Sequence, residues 1–223
     1  MNFNENADRD MAVMNVAHAI TSDLRKCLLR HDVASFAVPG GTTPGPVFDA
    51  MSSVDIDWSR VHVMLTDERW VPEDHPRSNT ALVKERLLTG RAAAAQFFPF
   101  YREGMTAEEA APVLSAEIAP LIPVSVLLLG MGADMHTASL FPDAPGVEAA
   151  LDRNAPHLVA MAPDSQPEAR ISLSGPVLEG AMDKHLIIFG DDKKAALERA
   201  MTLPAAQAPI GAAIKGGNVH WAA

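Results

Sequence analysis

Short apolar runs separated by amphipathic stretches are the feature that most restricts this chain. Ser35 to Val38, Val61 to Leu65, Val124 to Leu129 and His185 to Phe189 are too short for typical helices and read as strands, Val124 to Leu129 being buried on both faces. Strands that alternate with helical patterns call for β-α units and a mostly parallel sheet with helices on both sides, a three-layer α/β/α sandwich. One helix precedes the first run, because Val13, Val16, Ala17, Ile20, Leu24, Cys27 and Leu28 share one helical face. Further helices are expected after Thr43 as cap with Pro44 as first residue, from Ser78-Asn79 to about Leu88, after the capping box of Thr106 and Glu109, and as a final long helix beyond Gly190. His157 to Met161 and Ile171 to Leu173 look like shorter strands, and Asn218 to Trp221 like an edge strand.

In an open parallel sheet the carboxyl ends of the strands share one rim, and ligands bind in crevices along it. The polar clusters of this chain follow its strands. Gly40-Gly41-Thr42, Asp67-Glu68-Arg69, Asp134-Met135-His136 and Lys193 are therefore expected to converge on one side. Gly40-Gly41-Thr42-Thr43-Pro44 is compatible with two readings, a phosphate cradle at a helix N-terminus and a plain strand-to-helix turn. Asp67-Glu68-Arg69 is likewise either a surface ion-pair cluster or a clamp, with Arg69 holding an oxygen-rich ligand and Asp67 ordering hydroxyls or water. His136 stands out among eight histidines for its company: a glycine-rich approach, Asp134 two residues earlier, and Thr137 and Ser139 after it. An imidazole takes a proton from water near neutral pH and can return it, and Asp134 is placed to orient the ring or the water. Arg170 and Lys193 are candidate phosphate partners.

At 223 residues the chain suits one domain spanning positions 1–223. A formal net charge of -10, with no run of Lys and Arg, argues against nucleic acid or an anionic membrane as partner. Met1 to Met11 is polar and acidic rather than signal-like, no stretch of 18 apolar residues occurs, and a cytoplasmic protein is expected. Cys27 is the sole cysteine, so no internal disulfide or thiolate metal cluster can form, and its place on the helical face makes it a core residue. A zinc helix of the His-Glu-x-x-His type and a Gly-x-Ser-x-Gly elbow are both missing. Water attack fits these residues better than covalent or metal-assisted chemistry.

Taken in order, Pro39 to Pro44, Thr66 to Arg69 with Val71-Pro72 and Ser78-Asn79, Leu129 to Pro142, Arg170 to Leu173, and Gly190 with Lys193 resemble the 6-phosphogluconolactonase family. The similarity runs from about Ser35 to Trp221, and its most specific part is His136-Thr137-Ala138-Ser139-Leu140-Phe141-Pro142. It implies the sandwich of sugar-phosphate isomerases and deaminases, and hydrolysis of 6-phospho-D-glucono-1,5-lactone in the oxidative pentose phosphate pathway without metal or organic cofactor. The partner implied is a small phosphorylated sugar lactone, and the protein is expected to be a monomer or weak homo-oligomer. By motif, His136 is the general base and Asp134 positions it. Gly40, Gly41, Thr42, Arg170 and Lys193 then hold the phosphate, while Asp67 and Arg69 meet the sugar hydroxyls, the carbonyl or the phosphate. Where the family usually has glycine, this chain has Met135, so a loop that keeps a glycine-like positive φ would strain a methionine. Two alternatives share the fold: a glucosamine-6-phosphate deaminase-like isomerase, whose motif continues differently from Ser139-Leu140-Phe141-Pro142, and a non-enzymatic sugar-phosphate sensor.

Overall fold

The computed structural model describes residues 1–142 and 144–223. Its strands are β1 (Asn2–Glu5), β2 (Ala34–Val38), β3 (Val61–Leu65), β4 (Asp67–Arg69), β5 (Gln96–Phe98), β6 (Val126–Leu129), β7 (Leu158–Met161), β8 (Arg170–Leu173), β9 (Asp183–Phe189) and β10 (Asn218–Ala222). The α-helices are α1 (Arg9–Leu28), α2 (Gly45–Ser52), α3 (Asn79–Arg86), α4 (Ala107–Ile118), α5 (Val147–Leu151), α6 (Gly175–Glu179), α7 (Asp191–Ala200) and α8 (Pro209–Ala213).

Seven strands form one sheet in the order β1-β10-β9-β6-β2-β3-β5, and every neighbouring pair is parallel. The central strands explain their apolar sequences: β2 and β6 are buried at every residue, as strands covered on both faces must be. On one flank α1 packs on β9, β10, β2 and β6 and against α2, which meets α3. Elsewhere α7 packs on β9 and, through α8, on α6. Helix α1 starts where Asp8 accepts a hydrogen bond from the Met11 N–H and carries Arg25 and Lys26 in its last turn, in accord with the helix dipole. The Thr106–Glu109 capping box opens α4 as expected. Among the described residues no helix is long and apolar enough to cross a membrane.

Several expectations need correction. A second sheet, antiparallel and ordered β4-β8-β7, holds the two short strands and turns Asp67–Arg69 itself into a strand. Asn218–Ala222 is not at an edge, because β1 pairs along its outer side. Strands β1 and β5 occupy the two edges instead. Helix α2 begins at Gly45: the Pro44 carbonyl accepts the first helical N–H, from Phe48, so Pro44 takes the cap position and Thr43 does not cap. Cys27 and Leu28 are only half-buried, at the end of α1 where the helix leaves the sheet. The last long helix, α7, has ten residues and is followed by the shorter α8.

Candidate active site

The turn after β2, the Asp67–Arg69 strand and the loop after β6 meet in an open cleft of about 290 Å³. Its walls are residues 39–44, Asp67, Arg69, Asn79, Gly130, Met131, Gly132, His136, Ala138 and Arg170. The convergence expected from strand ends is met in part: Gly40, Gly41, Thr42, Asp67, Arg69 and His136 line the cleft, Glu68, Asp134 and Lys193 do not, and Arg170 arrives from the start of β8 rather than after a strand.

Gly41 turns through φ +92° just ahead of α2, and Gly41 and Thr42 are exposed. Gly40 matters for a different reason. A Cβ there would lie 1.8 Å from Asn79 Oδ1, so the missing side chain is the space in which the Asn79 amide sits. That amide accepts a hydrogen bond from Arg69 Nη1 at 2.7 Å and donates one to the Asp67 carbonyl at 2.9 Å. Asn79, expected as a helix cap with a ligand contact as a secondary possibility, is therefore the brace of Arg69. Close approach of positions 40 and 79 is a tertiary fact, and nothing local in the sequence signals it.

Glu68 is fully buried and accepts the backbone N–H groups of Arg69, Asn79 and Thr80 at 2.8 to 2.9 Å. Burial pushes its carboxyl above the usual carboxylate range, and the Asn79 and Thr80 donors counter this only in part. The middle charge of the Asp67-Glu68-Arg69 run thus turns inward and fastens β4 to the start of α3. Asp67, also buried, accepts from Ser139 Oγ at 2.6 Å and Thr66 Oγ1 at 3.0 Å, and lies 3.9 Å from Arg170 Nη1. Arg170 donates to Gln166 Oε1 at 2.6 Å. Burial lowers the Arg170 pKa, and the neighbouring Asp67 carboxylate works against that. The Nε atoms of Arg69 and Arg170 are buried without a hydrogen-bond partner among the described residues. Both arginines line the cleft, and two guanidinium groups on its wall suit an anion.

The loop after β6 carries a paired aspartate and histidine. His136 Nδ1 lies 2.6 Å from Asp134 Oδ1, and the same oxygen accepts the His136 backbone N–H at 3.2 Å. That hydrogen bond holds the Asp134 carboxyl below its usual range despite partial burial. A carboxylate only accepts, so Nδ1 carries a proton, and in the neutral ring the lone pair is on Nε2. Gly132 makes the pair possible, as a Cβ there would come within 2.1 Å of His136 Nδ1 and 2.2 Å of Asp134 Oδ1. Met135 adopts φ 69°, the glycine-like conformation, and Ala138 adopts φ 49°. Lys193, near the start of α7, donates to the Met131 carbonyl at 2.6 Å. Burial lowers its pKa while Asp134 pulls the other way. Lys193 and Asp134 stand beside the cleft rather than among its lining residues.

A model of the glucosamine-6-phosphate isomerases/6-phosphogluconolactonase family matches residues 7–221. The chain belongs to this family. Within it, the chain is 38% identical over 210 residues to a 6-phosphogluconolactonase of Pseudomonas aeruginosa, covering 92% of this chain and 88% of that one. It is also 38% identical over 218 residues to a 6-phosphogluconolactonase of Rhizobium meliloti, covering 93% and 94%. The crystal structure of a 6-phosphogluconolactonase from Shewanella baltica superposes with a TM-score of 0.94 at 33% identity, covering 100% of this chain and 98% of that one. The α/β fold of the family, a seven-stranded parallel sheet between helices, is thereby established for this chain.

Proposed function

We propose that this protein hydrolyses 6-phospho-D-glucono-1,5-lactone to 6-phospho-D-gluconate, with His136 as the general base. The observation that carries this reading is the Asp134–His136 pair at 2.6 Å, whose histidine lines a cleft that also presents Arg69 and Arg170. The curated relatives named 6-phosphogluconolactonase support the choice of substrate.

In this reading His136 Nε2 takes a proton from water as the water oxygen bonds to the lactone C1. The carbonyl electron pair moves onto its oxygen, giving a tetrahedral oxyanion. When the carbonyl reforms, the bond from C1 to the ring oxygen breaks, and the imidazolium returns the proton to that oxygen. Asp134 steadies the imidazolium in between. Backbone N–H groups at Gly40 and Gly41, the Thr42 hydroxyl, Arg170 and Lys193 hold the phosphate. Lys193 spends one of its three donors on Met131, so two others serve the phosphate oxygens. Asp67 and Arg69 face the sugar hydroxyls and the carbonyl.

The test is turnover above the spontaneous opening of the lactone, with glucosamine 6-phosphate as counter-substrate. His136→Ala is expected to lose about 10²- to 10⁴-fold in kcat, with binding of the product phosphogluconate retained. Undiminished turnover in that variant would remove His136 as the base. Ammonia release from glucosamine 6-phosphate without lactone hydrolysis would replace the reaction itself.

A further inference from the structure

His136 is held by one ring hydrogen bond, and a single bond at Nδ1 leaves the ring plane free to tilt. A base must aim its lone pair within roughly 10–20° of the productive direction. The second constraint comes from Phe141. Its ring centroid lies 4.2 Å from that of the imidazole, with the planes inclined by 26°. The guanidinium carbon of Arg170 stands 5.3 Å from the centroid of the same phenyl ring. Phe141 cannot easily swing away, because it is only 4% exposed and follows a turn closed by the Leu140 N–H on the Thr137 carbonyl at 3.0 Å.

We propose that Phe141 is a positioning residue, a flat platform that fixes the plane of the His136 imidazole and ties it to the Arg170 guanidinium. This rests on the reading of His136 as the base. Stacking of flat rings at this separation is attractive, and the electron-rich phenyl face also favours a cation above it. The imidazolium formed after proton transfer and the Arg170 guanidinium therefore both find their partner on one ring. An aliphatic residue keeps the site apolar but has no flat face, and so lets the imidazole turn.

Phe141→Leu is expected to lower kcat by about 10- to 100-fold while KM changes less than about threefold, the pattern of a misaimed base with binding kept. Phe141→Tyr, which restores the face, is expected to recover most of the rate. A rise in KM with kcat unchanged would assign the ring to Arg170 alone and overturn the proposal, as would equal activity in the Leu variant. The native protein supplies a readout independent of turnover and of how the variants fold. Carbon-bound ring protons of His136 are expected to resonate clearly upfield of those of the exposed His18 and His31, through the ring current of the stacked phenyl. Unshifted resonances would overturn the platform even in an active enzyme. Shifted resonances in a protein without lactonase activity would leave the platform standing and overturn only the reaction.

Discussion

Met135 shows how a single residue settles between two opposed terms. A non-glycine residue in the left-handed region costs roughly 1–2 kcal/mol, whereas burying a methionine side chain returns about 1.5–3 kcal/mol. Met135 is 8% exposed, belongs to the main core cluster, and its carbonyl accepts the Ile210 N–H. The side chain therefore outweighs the strain. Met135→Gly is expected to lower the unfolding temperature by a few degrees, about 1 kcal/mol, while leaving kcat near that of the parent; thermal denaturation beside a turnover assay checks both. Gly132→Ala is the opposite case, a small change with a large effect. The added methyl would occupy the space between His136 and Asp134, so kcat should fall at least about tenfold with the fold intact, as read by kinetics and circular dichroism. The contact of Asp134 with His136 was legible in the sequence because the two lie two residues apart in one loop. The brace of Arg69 by Asn79 was not, since it exists only where Gly40 leaves room for an amide 39 positions away.

Elements explain which further parts of the molecule the sequence disclosed. Strands β3 and β6 announce themselves as apolar runs because both faces are covered. Strand β1, Asn-Phe-Asn-Glu, is exposed at every residue, and β5 has three, so neither carries a hydrophobic signal. Strand β4 is spelled in charges, and it holds its place because Glu68 satisfies three backbone N–H groups at the junction with α3. Glu68→Gln turns one acceptor oxygen into a donor facing donors. A stability loss of about 1–3 kcal/mol is expected, together with a raised KM as Arg69 loosens; urea unfolding and steady-state kinetics measure the two effects. A second seam joins α1 to β9 and β10, where Asp23 Oδ2 lies 3.0 Å from His185 Nε2 and His185 Nδ1 lies 3.3 Å from His220 Nε2. Burial, helped by the charge of His185, pushes His220 down to about 4. The unfolded chain, with an ordinary imidazole near ~6.5, takes up this proton first as the pH falls. The stability due to a neutral His220 is thus full above pH ~6.5 and is lost between there and about 4, by at most about 3 kcal/mol. Urea midpoints measured across that window should show a shallower decline in His220→Gln than in the parent.

The whole molecule sets a diffuse negative field against a few aimed cations. With a net charge of -10, the protein repels a phosphate dianion at long range, while in the proposed reading Arg69 and Arg170 on the cleft wall and Lys193 beside it attract one locally. The Debye length falls from about 30 Å at 0.01 M salt to about 10 Å at 0.1 M and about 3 Å at 1 M. Modest salt therefore screens the distant repulsion first, and high salt screens the local attraction afterwards. The value of kcat/KM is expected to pass through a maximum near 0.1 M; a steady fall from the lowest salt would show that the diffuse charge has no part in substrate approach. Strand order carries a last consequence, for the order of events in folding. Residues 2–5 pair only with β10, and the Asn2 side chain meets Asn218, 216 positions further on. Within this sheet β1 is synthesised before its only partner strand by more than 200 residues, and its polar Asn-Phe-Asn-Glu sequence suits a wait in solvent until β10 is available.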